Sequence, residues 1–171
     1  DMAILPFELT DQNGRSVTNA SFMGKITVVD FIFTHCPLVC PTLSGQMSGI
    51  AGTLTDPRVQ FLSITVDPDR DTTERLKEYA ANFVEDPRWR FGRGPKEATW
   101  KLVREGMKFA IADDESTPIT LPDGSTMLNI RHPAHLVLVG PKGEVLGLYL
   151  GTRDEDVGAL VDRVRRALKK M

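Results

Sequence analysis

The sequence predicts an α/β domain built around a buried central sheet, and three observations carry that prediction. Two runs rich in Ile, Val and Phe, 26–33 and 59–66, have the continuous apolar character of buried strands. Each is followed by helical spacing of apolar residues: Leu43, Met47, Ile50 and Leu54 within 42–54, then Leu76, Tyr79 and Phe83 within 72–83. The C-terminal part reads as strands 134–139 and 144–150, joined by Gly140-Pro141-Lys142-Gly143. At 171 residues, one domain over 1–171 is expected.

The remaining elements follow in order. Residues 7–10 read as a short strand, Asn13-Gly14 as a hairpin turn, and Ser16-Val17-Thr18 as the returning strand. Residues 88–91 are a short strand, 96–106 a helix and 108–112 a strand. Residues 113–130 carry Pro118 and Pro122-Asp123-Gly124, so loop is expected there, with room for a hairpin. Residues 154–168 form an amphipathic closing helix with basic residues in its last turns. Strand–helix–strand–helix, then a hairpin and a helix, is a thioredoxin-like pattern. It is extended here by an N-terminal β-hairpin and by an inserted loop or hairpin before the strand at 134–139.

Composition narrows the function. A chain of this size buries roughly 70% of its unfolded surface and needs no disulfide or metal to fold. With 21 basic and 23 acidic residues the formal net charge is −2, without the basic stripe of a nucleic-acid binder. No stretch is long and apolar enough to span a membrane, and no signal peptide opens the chain. The abrupt start at Asp1-Met2 fits removal of an N-terminal anchor or leader.

Chemistry concentrates in Thr34-His35-Cys36-Pro37-Leu38-Val39-Cys40-Pro41, which holds the two cysteines of the chain. They lie where a core strand hands over to a helix N-terminus, whose free N–H groups and dipole favour thiolate. Pro41 belongs at the first helical position, which puts Cys40 near the N-cap and Cys36 in the preceding turn. A small buried disulfide or two inert core thiols is the bland alternative, and the polar, Pro-punctuated setting disfavours inert thiols. Three intervening residues let the sulfurs spread around a metal yet still close a disulfide. Paired thiolates are soft ligands that favour copper, with zinc the alternative, and want a third ligand.

His35, His132 and His135 are the histidines available. His35 continues the strand and points away from the sulfurs. His132 stands where the polar loop meets the next strand, giving it reach, whereas the odd spacing puts His135 on the opposite face. The run Asp67-Pro68-Asp69-Arg70-Asp71-Thr72 superficially fits a calcium loop, with Glu78 at the last position. Thr72 in place of glycine and the stiffening Pro68 reject that reading. Asp71 is expected to cap the following helix, with Glu74 at capping-box spacing.

Together these residues resemble the Sco/SenC family of copper-binding thioredoxin-fold proteins over nearly the whole chain. The resemblance is carried by LPFELTDQNGRSVT, by VVDFIFTHCPLVCPT with its Phe-x-x-Thr-x-Cys-Pro-x-x-Cys-Pro signature, by ITVDPDRDT, and by HPAHLVLVGPKGEVLGLYLG. In that family the ligand histidine stands nine positions before the turn proline. Counted back from Pro141 that is His132. The family has Asp just before this histidine; here it is Arg131.

The resemblance implies a copper metallochaperone, with Cys36, Cys40 and His132 as ligands for Cu(I) or Cu(II), serving the CuA-bearing subunit of cytochrome c oxidase. It further implies a membrane tether in the full-length protein, on the periplasmic side of the inner membrane or in the mitochondrial intermembrane space. Delivery would run through a face around Pro37, Leu38 and the loop before His132, flanked by Asp69 and Arg131. The rival reading is a thiol–disulfide oxidoreductase acting through Cys36 and Cys40, with Cys36 the more exposed, attacking thiol. In a third, peroxidase-like reading Thr34 and Cys36 approximate a Thr-x-x-Cys pattern one residue short, with no activating arginine evident nearby.

Overall fold

The computed structural model describes residues 2–37 and 39–171. Strands β1 (Glu8–Asp11) and β2 (Ser16–Thr18) form the N-terminal hairpin. Asp11 closes its turn by accepting the N–H groups of Asn13 and Arg15, and Gly14 supplies the positive φ of +77°. A 3-10 turn, Asn19–Phe22, leads to β3 (Ile26–Ile32), and α1 is Val39–Thr53. Then come β4 (Val59–Thr65), α2 (Thr73–Ala80) and β5 (Trp89–Arg93). Helix α3 (Lys96–Lys101) runs on into a π-helical turn, Leu102–Gly106. Strands β6 (Ala112–Thr120) and β7 (Thr126–Arg131) precede β8 (His135–Val139), β9 (Val145–Leu150) and α4 (Asp154–Lys169).

Seven strands form one sheet in the order β2-β1-β5-β4-β3-β8-β9. β3, β4 and β5 are parallel; β8 runs antiparallel to β3, and β9 to β8. Every residue of β3 is buried, which explains its unbroken apolar character apart from Thr27 and Asp30. Helices α1 and α4 pack on β3 and on each other, and α2 packs on β5. This is the thioredoxin-like α/β fold with its N-terminal hairpin.

Two expectations are corrected, the strand at 108–112 and the start of α1, whereas the insertion before the strand at 134–139 takes the hairpin form allowed for it. No strand forms over 108–112: the π turn ends at Gly106, and β6 begins only at Ala112. The polar stretch after it is a two-stranded antiparallel hairpin, β6–β7, outside the main sheet. It is held by Met127 and Ile130, both buried against the core. Helix α1 starts two residues earlier than Pro41 implied, so Pro41 is its third residue and Cys40 its second. Proline is tolerated there because the first four N–H groups of a helix have no intrahelical acceptor.

Candidate metal centre

Two chain entries meet at the C-terminal end of β3. The strand delivers Phe33 and Cys36 into the turn before α1. Because β8 is antiparallel to β3, with Val137 opposite Val29, the segment leading into β8 arrives at that same end. Pairing thus brings His132 to the cysteines although it lies 92 positions from Cys40.

The ligand atoms of Cys36, Cys40 and His132 all lie within 4.8 Å of one another. Cys40 Sγ is 3.2 Å from His132 Nε2, and the Cys40 backbone N–H donates to Cys36 Sγ at 3.4 Å. The edge of one ring meets the face of the other between His132 and the buried Phe33, with centroids 5.6 Å apart. His132 Nδ1 is 3.0 Å from the carbonyl oxygen of Pro133. A carbonyl only accepts, so Nδ1 carries a proton and Nε2 is the ring nitrogen that faces the sulfurs. That is the orientation a metal ligand needs, with its second nitrogen anchored by the backbone.

The two sulfurs are electrostatically unlike. Cys36 is half-buried; Cys40 is fully buried. The Cys40 thiol directed at Cys36 holds the Cys36 thiol down at about 4 against its partial burial, with the Cys40 N–H adding to the effect. Burial first, and then the neighbouring Cys36, push Cys40 far up. At neutral pH the pair holds one thiolate and one thiol, with the remaining proton on the inner sulfur.

Around the pair, the structure sorts the other sequence candidates. His35 lies outside the cluster, half-buried, with its Nδ1 buried and unpartnered among the described residues. His135 stacks on Phe109, centroids 5.0 Å apart, away from the sulfurs. Pro37 is exposed, while Leu38 lies outside the described residues. Arg131 is exposed and 3.6 Å from Asp114 across the β6–β7 hairpin. Asp69 is exposed, and Asp67 is buried and paired with Arg70 at 3.2 Å.

Asp71 does not cap α2. Thr72 does, accepting the N–H of Arg75. Asp71 is fully buried and turned toward the cysteine turn, where it accepts from Thr34 N–H at 3.1 Å and from the hydroxyls of Thr34 and Thr65, each at 2.5 Å. Arg75 Nε donates to Thr34 Oγ1 at 2.9 Å. An arginine therefore does meet Thr34, three residues into α2, where no local spacing announces it. This brace fixes the backbone two residues before Cys36.

Comparison with known proteins comes to the same fold and family. The SCO1/SenC family profile matches residues 2–169. The SCO1 protein homolog of Bacillus subtilis (strain 168) is 29% identical over 165 residues, covering 95% of this chain and 81% of that one. The solved structure of Bradyrhizobium japonicum ScoI with copper bound is 29% identical, with a TM-score of 0.73, covering 94% of this chain and 98% of that one. BsSco is described as a Sco-family cytochrome c oxidase assembly protein with a disulfide switch. Its structure is 27% identical, with a TM-score of 0.78, covering 98% of this chain and 94% of that one.

Proposed function

This chain belongs to the SCO1/SenC family, and from that premise we propose that it is a copper metallochaperone for cytochrome c oxidase, loading the CuA site. The carrying observation is the convergence of two sulfurs and one correctly oriented imidazole within 4.8 Å of one another. Cys36, Cys40 and His132 are the ligands. Two sulfurs suffice for Cu(I), and the imidazole adds the third donor that Cu(II) requires. A relative of similar fold solved with copper bound supports copper as the ion carried. Delivery is ligand exchange: each bond from copper to a cysteine of this chain breaks as a thiolate of the CuA-bearing subunit forms its own, so the ion never enters water. The exchange face is the half-buried Cys36 with the exposed Pro37 and the segment before His132, flanked by Asp69 and Arg131. These two charges tune encounter more than affinity. The protein works where that subunit presents its CuA site, on the periplasmic side of the inner membrane or in the mitochondrial intermembrane space, tethered in the full-length protein.

A second reading is favoured by the unequal thiols. A thiolate at Cys36 beside a protonated Cys40 is the arrangement of a dithiol reductant, and a disulfide switch is described for a relative. Copper titration of the reduced protein separates the two. The chaperone binds about one copper per chain and, as Cu(II), shows an intense sulfur-to-metal charge-transfer band. The Cys36→Ser, Cys40→Ser variant loses the band; a band that survives it overturns the site. His132→Ala weakens Cu(II) by about 100-fold or more but spares most Cu(I) binding. A pure reductant binds no copper, and its thiol exchange is indifferent to His132.

A further inference from the structure

The sheet stops short of His132. The β3–β8 ladder ends at Val29 opposite Val137, and the β8–β9 ladder ends at His135 opposite Leu150. Between that last rung and the imidazole lies the turn His132-Pro133-Ala134-His135. The buried Pro133 restricts the backbone of the histidine before it, and its carbonyl oxygen meets His132 Nδ1 at 3.0 Å. The Ala134 carbonyl accepts the Gly151 N–H at 2.9 Å. A third contact comes from outside the sheet: the half-buried ring of His135 stacks on Phe109, with centroids 5.0 Å apart and planes 22° from parallel.

Phe109 reaches that position through strained backbone. It follows Lys108, whose φ of +60° makes it the one non-glycine residue with positive φ among the described residues. L side chains rarely adopt that conformation, and it persists only where the surroundings over-determine it. They do so here. Met107 and Ile111 are buried on either side, the Phe109 N–H donates to Val103 O at 3.0 Å, and Arg104 donates to Ile111 O at 2.9 Å. A left-handed residue breaks an extended run, which is why no strand forms over 108–112, and it turns Phe109 onto the His135 ring. An aliphatic side chain at 135 would serve the core as well. Two stacked rings add a defined mutual geometry that aliphatic pairs lack.

We propose that Phe109 and His135 are positioning residues for His132, an inference that rests on the copper reading above. Neither touches the metal. Their stack clamps one end of the four-residue turn, so that the imidazole at its other end faces the sulfurs before copper arrives. Such pre-organisation acts only on the state that uses all three donors. Cu(II) gains from it; Cu(I), held by the two sulfurs, does not. The stack therefore sets how strongly the site distinguishes the two oxidation states.

The test compares the reduced natural protein with His135→Ala, Phe109→Ala and His135→Phe. The metal-free readout is the nuclear Overhauser contact between the rings of His132 and Phe33, whose centroids lie 5.6 Å apart. The contact is present in the natural protein and in His135→Phe, and it weakens in both alanine variants. In equilibrium titration the alanine variants hold Cu(II) about 10-fold more weakly and Cu(I) as before. His135→Phe holds both like the natural protein, because it keeps the stack while removing the imidazole. An unchanged ring contact or an unchanged Cu(II) affinity in the alanine variants overturns the assignment. Equal weakening of Cu(I) and Cu(II) also overturns it, since that marks general loosening of the fold. Loss of Cu(II) binding in His135→Phe overturns it too, by making His135 a ligand in its own right. If Phe109→Ala does not fold, His135→Ala at the half-buried strand end carries both readouts. If the natural protein binds no copper, the copper reading fails and the ring contact alone decides the assignment.

Discussion

Two sulfurs four positions apart behave as different chemical groups because one faces a donor and the other faces the core. Cys36 receives the Cys40 thiol and the Cys40 backbone N–H; Cys40 is fully buried. Alkylation by iodoacetamide at pH 6 should therefore modify Cys36 readily and Cys40 hardly at all, as peptide mass spectrometry would show. An ordinary thiol near 9 is almost silent at that pH. The stability consequence has a definite sign. Cys36 titrates lower in the fold than its ordinary 9.0, so its thiolate stabilises the fold above that pH, and the contribution fades as pH falls from about 9 to about 4. Asp30 of β3 does the reverse: raised by its burial from 3.8 to about 6, it favours the fold below 3.8 and loses that contribution as pH rises through 6. Cys36 and Cys40 stood out as a pair by side-chain type and spacing, whereas among the three histidines it was the family resemblance that singled out His132. Arg75 and Thr65 carried none, since only tertiary packing brings them to the cysteine turn.

Among the elements, the α2 N-terminus is instructive. Asp71 and Thr72 are both good capping residues, and local pattern cannot choose between them. Burial decides: Asp71 is drawn inward by Thr34 and Thr65, leaving the cap to Thr72. Thr72→Ala should cost about 1 kcal/mol in a denaturant melt and leave copper binding untouched. Asp71→Ala should cost about 3 kcal/mol, because it strands a buried N–H and two hydroxyls, and should weaken copper binding by loosening the cysteine turn. Equal effects of the two substitutions on binding would sink the brace. The β6–β7 hairpin was only half legible. Its turn residues advertised loop, while its pairing is set by register between strands of mostly exposed, polar residues. Arg88 marks a further element that spacing does not reveal. It donates to the carbonyls of Ala51 and Leu54 at the end of α1, at 2.8 and 2.6 Å, and so closes the helix whose other end carries Cys40.

Across the whole molecule, the main sheet and the hairpin divide the labour. The sheet fixes the cysteines; the hairpin ends at Arg131, next to the imidazole. Replacing residues 113–130 by a short glycine linker should keep the far-ultraviolet dichroism of the fold and Cu(I) binding, at a loss of about 2–4 kcal/mol for the burial of Met127 and Ile130. Cu(II) binding should fall as far as it does in His132→Ala, which equilibrium titration would measure. The overall layer order was readable because buried strands and amphipathic helices alternate, and the handover from β3 to α1 followed from it. The span between the ligands has one more consequence, for the denatured chain. Cys36 and Cys40 stay neighbours however the chain unfolds, whereas His132 joins them only once β8 has paired with β3. Cu(I), content with two sulfurs, has a partner in both ensembles and so can shift the folding equilibrium only by its preference for one over the other. Cu(II), which needs all three donors, finds its partner in the native state alone, and its whole binding free energy is added to that state.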